Sequence, residues 1–214
     1  MDLEERLQRR ANAEAERSRV LVTLLFTDLV GSTERLVRLG DRGWHELLVL
    51  HHEKVRQHLD RFGGREVDTS GDGFLATFDT ASQAVSCGSE LTRSLADLGL
   101  DARVGVHTAE CDRFGSKYSG VAVHVAARVV RLAGPREVLV TETVKGVVAG
   151  AGLIFCERGS HELRGLPGVW PLFAAVAAEP EARRAREGRR SVHRSSRPTY
   201  RSARVAVSGP GRVR

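Results

Sequence analysis

The most constraining feature of this chain is the run Val20-Leu21-Val22-Thr23-Leu24-Leu25-Phe26, continuous in β-branched and apolar residues and ending abruptly at Thr27-Asp28. A strand with one wet face alternates polar and apolar residues, so an unbroken run reads as a strand buried on both faces. The chain also carries helical patterns that can provide such cover. After Gly31-Ser32-Thr33, residues Trp44, Leu47, Leu48, His51, Val55, Leu59 and Phe62 recur at three- and four-residue intervals and stop at Gly63-Gly64. That spacing predicts an amphipathic helix closed by glycine.

The segments REVDT and FLATF flank Ser70-Gly71-Asp72-Gly73, which predicts a tight hairpin with Asp72 at its tip. Thr80 and Gln83 stand at capping-box spacing before Val85, Gly88, Leu91, Leu95 and Leu98, a second amphipathic helix closed by Gly99. Alternation from Ala102 to Glu110 predicts another strand. Strand, helix, strand, strand, helix, strand is the split βαβ order of a ferredoxin-like sheet. An additional helix over 120–132, a short strand at EVLVT and the C-terminal apolar pair GLIFCE and VWPLFAAV complete an α+β fold.

Composition sets the outer limits. A chain of 214 residues, 41% of them hydrophobic, buries a real core and is neither a disulfide-stapled miniprotein nor disordered throughout. No apolar run approaches a membrane span, and residues 1–20 are charged without a signal-peptide core, so a cytoplasmic protein is expected. Cys87, Cys111 and Cys156 are odd in number and lack metal-ligand spacing, as expected of small, buried, reduced thiols. Residues 179–214 hold eleven arginines against three glutamates, so +8 of charge lies there and the rest carries −2 of the total +6. The division expected is a charged helix or linker over 1–19, a folded domain over 20–178 and a disordered Arg-rich tail over 179–214. Such a tail suits either simple solvation or weak attachment to nucleic acid or an anionic surface. Tyr200 is its only aromatic residue, so base stacking has little to work with.

In a βαββαβ sheet the first strand lies beside the hairpin, which brings Asp28 and Asp72 to one edge. Two aspartates on rigid strands, with a Gly-Ser-Thr helix start after the first, suit a divalent cation and a polyphosphate. Hard oxygens bind the metal, and the amides of Gly31, Ser32 and Thr33 meet phosphate oxygens at the positive end of a helix. The plainer alternative makes Asp28 a helix cap and Asp72 a turn residue.

The segments FTDLVGSTERL, TSGDGFLATF, SGVAVHVAARV and RGSHELRGLPG, in this order, closely resemble the landmark segments of the class III adenylate/guanylate cyclase catalytic domain. The resemblance runs from about Val20 to Val176. It implies a nucleotide cyclase fold, and a reaction in which ATP or GTP is converted to the 3′,5′-cyclic monophosphate and pyrophosphate with two divalent cations, Mg2+ or Mn2+. It also implies Asp28, Asp72 and the Leu29 carbonyl as metal ligands and Arg128 as the transition-state arginine. His124 stands at the usual asparagine position, where a neutral imidazole still donates one hydrogen bond. Arg164 replaces a phosphate-gripping lysine with its charge kept. The family assembles each site between two chains; one sequence carrying both halves implies a homodimer.

One departure concerns the purine. Adenine-selecting members of the family carry lysine three residues before the first glycine of the GDG turn and aspartate seven before the asparagine position. This chain has Asp68 and Lys117 there, with the charges exchanged. Guanine presents a carbonyl acceptor and N–H donors where adenine presents an acceptor and an amine, so the exchange suits GTP. Mixed use, or a catalytically degenerate nucleotide-binding or dimerisation module, stays open. A diguanylate cyclase is disfavoured, since Ser70-Gly71-Asp72-Gly73-Phe74 lacks an adjacent second acid.

Overall fold

The computed structural model describes residues 17–176. The strand expected at 20–26 runs further in both directions as β1 (Arg17–Leu29). Residues 17–19, expected at the end of a helix, belong to it and pair with 112–114 of the next central strand. The remainder of the N-terminal helix and the Arg-rich tail lie outside the described residues.

From β1 the chain enters α1 (Ser32–Phe62), interrupted at Gly40, where the backbone leaves helical geometry. The hairpin β2 (Arg65–Ser70) and β3 (Gly73–Phe78) follows, then α2 (Ala81–Ala96) and β4 (Ala102–Phe114). Thr80 caps α2 by accepting from the Gln83 amide at 3.4 Å. Beyond the core come β5 (Lys117–Ser119), α3 (Val121–Leu132), β6 (Val138–Thr141), α4 (Glu142–Val147), β7 (Ile154–Glu162) and β8 (Val169–Val176). The short elements β5 and α4 carry too few residues for a periodic signal and were not expected from the pattern.

The sheet order is β2-β3-β1-β4-β6-β8-β7, with β5 added to β4. β1 lies between β3 and β4 and is antiparallel to both, the expected split βαβ arrangement. It separates two layers. Leu25, Val104, Val106 and Val140 face α1, α2 and α4, whereas Val22 and Leu24 face α3. Leu24 and Leu25 are both fully buried, which is why the run cannot alternate. Leu21 departs from the pattern at 73% exposure.

Gly105 sets how closely α3 lies on the sheet: a Cβ there would come within 2.4 Å of the Val130 backbone nitrogen. Cys87 and Cys111 are buried as expected. Cys156, on the edge strand β7, is exposed, contrary to the expectation of a buried thiol.

Candidate functional site

The two aspartates meet as the topology requires. Thr27 pairs with Phe74, and Ser70 pairs with Gly73, so the two-residue turn Gly71-Asp72 lies beside the end of β1. Gly71 has φ 60°, the positive value that two-residue hairpins with glycine first require. The Leu29 amide donates to Asp72 Oδ2 at 3.3 Å, bringing that carboxylate against the residue after Asp28. Asp28 is a strand residue, and Gly31 is the residue at the N-cap of α1.

Asp28 has a partner the sequence did not single out. Arg103 stands opposite it across the β1–β4 ladder and donates to Asp28 Oδ2 from Nε at 2.9 Å and from Nη2. Its Nη1 also reaches the Arg131 carbonyl at 3.4 Å, at the C-terminal end of α3. Only the register reveals this pair, because the two residues are 75 positions apart.

No group of three or more His, Cys, Asp and Glu gathers among the described residues, so a cation here has two protein carboxylates to bind. That donor set fits magnesium or manganese, which take one or two carboxylates and complete their shell with water and substrate phosphates. Two residues after Leu29, Gly31 stands at the N-cap of α1 and offers no side-chain cap, leaving Ser32 and Thr33 in a first turn whose amides need acceptors.

Asp68 and Lys117 line one cavity of about 420 Å³. Its apolar walls include Phe26, Leu75, Tyr118 and Val123, and Ser70 and Gly73 connect it to the hairpin. Among the described residues no ion pair joins Asp68 to Lys117, so each charge is open to a ligand. Asp28, Asp72, Arg128 and Arg164 do not line this cavity.

A third group lies on α3. His124 is exposed and Arg128 half-buried one turn later. Arg128 Nε donates to the Arg164 carbonyl at 3.4 Å, bringing the two arginines together from α3 and the β7–β8 connection. One chain thus carries all three groups: the carboxylates, the Asp68/Lys117 cavity, which borders the hairpin at Ser70 and Gly73, and the arginine pair.

Behind the hairpin, α1 contributes residues that no motif had marked. His52 Nε2 lies 2.8 Å from the Gly71 carbonyl. Arg56 makes a two-pronged contact with Glu66 at 2.8 and 3.0 Å, and this guanidinium holds the Glu66 carboxyl below its ordinary range. His51 is fully buried, and burial together with neighbouring His52 lowers its pKa to about 4. His107 is likewise lowered to about 4 by burial.

The sequence pattern of the adenylate and guanylate cyclase catalytic domain matches residues 15–174. A putative adenylate cyclase 3 of Rhizobium meliloti is 30% identical over 158 residues, covering 69% of this chain and 27% of the relative. An uncharacterised Mycobacterium tuberculosis protein is 32% identical over 152 residues, covering 68% and 52% respectively. The chain therefore spans between about a quarter and about half the length of these relatives. The solved structure of the adenylyl cyclase CyaB from P. aeruginosa superimposes with a TM-score of 0.72 at 20% identity, over 77% of this chain and 98% of that one. With the sequence match and the βαββαβ sheet in agreement, this chain belongs to the adenylate and guanylate cyclase catalytic domain family.

Proposed function

We propose that the chain is an active nucleotide cyclase that closes a purine nucleoside triphosphate to its 3′,5′-cyclic monophosphate. The ribose 3′-oxygen bonds to the α-phosphorus, the bond from that phosphorus to the bridging oxygen breaks, and pyrophosphate leaves while the hydroxyl proton passes to solvent. The observation that carries this reading is the approach of Asp72 to Leu29 beside Asp28, which assembles two carboxylates at one sheet edge. Bound there, two magnesium or manganese ions would supply charge neutralisation of the triphosphate and a more acidic 3′-hydroxyl.

The chain's own residues do the rest by positioning. First-turn amides at Gly31, Ser32 and Thr33 receive phosphate oxygens. Arg103, already at Asp28, offers a guanidinium that can turn from that carboxylate to the incoming phosphates. Arg128 neutralises the five-coordinate phosphorus, Arg164 grips the terminal phosphates, and His124 donates to the ribose. One sequence carries the carboxylates, the purine cavity and the arginine pair together. With the family's sites shared between two chains, that combination supports a homodimer in which the carboxylates of one chain face Asp68, Lys117, His124, Arg128 and Arg164 of a second.

The cavity favours GTP. Asp68 accepts from the guanine ring N–H and amino group, and Lys117 donates to its carbonyl. The three free thiols suit a reducing compartment, the cytoplasm.

A second reading, a nucleotide-binding or dimerisation module without turnover, rests on the exchanged charges of Asp68 and Lys117. One experiment separates the two: a manganese-supported assay with ATP and GTP in parallel and Asp72→Ala as the blank. Cyclic GMP forming faster than cyclic AMP is expected. No product above the blank with either nucleotide would establish the second reading.

A further inference from the structure

We propose that His52 is a positioning residue that fixes the Asp72 hairpin tip to α1 and so sets where the Asp72 carboxylate stands relative to Asp28. The inference deepens the reading of Asp72 as a metal-binding carboxylate and rests on it.

A carbonyl oxygen only accepts, so the 2.8 Å contact with Gly71 requires the His52 ring to carry its proton on Nε2. That bond acts where the hairpin has little else to hold it. The ladder ends at Ser70 and Gly73, leaving Gly71 and Asp72 as the unpaired turn. A Cβ placed on Gly71 would meet nothing within 4 Å, so no packing confines the tip on that side. The Leu29 amide holds the Asp72 carboxylate, but at 3.3 Å, and a bound cation would compete for the same oxygens.

His52 is itself held firmly. Its ring packs edge-on against Phe74 with centroids 5.1 Å apart, and Phe74 is 1% exposed in the core beneath the hairpin. Arg56, one turn further along α1, covers the same ring at 5.6 Å and clamps Glu66 on β2. Thr69 donates to Glu66 at 2.6 Å, extending the attachment to the residue before Ser70. α1 therefore grips both strands of the hairpin through side chains, and His52 alone among these reaches the turn backbone. His52 and Arg56 both lie on the part of α1 beyond the break at Gly40.

A fixed tip matters because a misplacement of about 1 Å in a catalytic group can cost about a hundredfold in rate. The test compares His52→Phe, which keeps a ring against Phe74 and removes the donor, with His52→Gln, whose amide nitrogen stands near the position of Nε2. Three quantities are read on the full chain: Mn2+ binding without nucleotide, amide hydrogen exchange at Gly71–Gly73, and kcat and KM for the preferred nucleotide. His52→Phe is expected to weaken Mn2+ binding and lower kcat by about tenfold each, the equivalent of one hydrogen bond, with KM within about threefold of wild type. Exchange at the tip should accelerate, and His52→Gln should restore all three to within about threefold.

Wild-type metal affinity and tip exchange in His52→Phe would overturn the proposal, as would equal impairment of both variants. Asp72→Ala serves as the reference for the underlying reading. If it binds Mn2+ as wild type does, Asp72 is no ligand and that reading fails, whereas the exchange comparison at Gly71–Gly73 still decides whether His52 holds the tip.

Discussion

Arg103 on β4 holds the carboxylate of Asp28 on β1, directly across the antiparallel ladder and 2.9 Å from Nε to Oδ2. Both side chains are partly exposed, so in the proposed site the contact is one that a cation at Asp28 and a phosphate at Arg103 would replace. Arg103→Gln is expected to raise the nucleotide KM by about tenfold or more, the value of a charge-assisted hydrogen bond. Steady-state kinetics check this, and an unchanged KM would leave Arg103 with a structural role only.

The proposal that the carboxylates and the arginine pair of one site come from different chains is tested by complementation. Asp28→Ala and Arg128→Ala homodimers should each be inactive. Mixed in equal amounts they should recover roughly a quarter of wild-type activity, since half the dimers are mixed and each has one intact site of two. No recovery despite subunit exchange shown by differently tagged chains would count against sites shared between chains.

Reversing both charges of the cavity, Asp68→Lys with Lys117→Asp, should move preference from GTP to ATP. Both residues are exposed in the single chain; once the bound base and a second chain cover them, a polar group left without its partner discriminates by a factor of about a hundred or more in kcat/KM. Competing-substrate assays measure the ratio. An unchanged ratio would show that Asp68 and Lys117 do not read the base.

His51 and His107 predict an acid limb to stability. Burial, with a smaller contribution from His52 at His51, lowers each to about 4 from 6.5. Above pH 6.5 both are neutral in either state and have no effect. As pH falls from 6.5 towards 4 the unfolded chain takes up protons first, so stability falls through this window and levels off below it, by on the order of 3 kcal/mol per residue. Neither ring nitrogen of His51 has a hydrogen-bond partner, so His51→Leu should stabilise the fold at neutral pH and shallow the acid limb. Urea melts between pH 4 and 7.5 read both effects.

Gly105→Ala should cost about 3 kcal/mol or more, because the new Cβ would press on backbone at Val130 rather than on a movable side-chain end. Thermal unfolding gives the loss. A near-neutral result would mean that α3 can lift from the sheet without penalty.

The elements legible in the sequence were those with a repeating signal. The β1 run, the apolar spacing of α1 beyond Gly40, the hairpin around Ser70–Gly73, the capped start of α2 and the alternation of β4 each encode a local preference that survives in the fold, and their order yielded the βαββαβ sheet. The break at Gly40 was not legible, because the apolar spacing begins after it. Nor was the strand identity of residues 17–19: charged side chains suit an exposed helix, and only the pairing of that segment with 112–114 makes it β.

By itself the sequence determined which chemical groups are present and which segment carries each: Asp28 after an apolar strand, Asp72 in a glycine turn, Asp68 and Lys117 with exchanged charges. These depend on residue identity and on contacts within a few positions. The tertiary structure alone decided who meets whom. Arg103 reaches Asp28, His52 reaches Gly71 and Arg128 reaches Arg164 because strand register and helix docking set those distances. Register follows from burying Leu24 and Leu25 on opposite faces at once, a condition satisfied by the whole sheet and both helical layers together and written in no single segment.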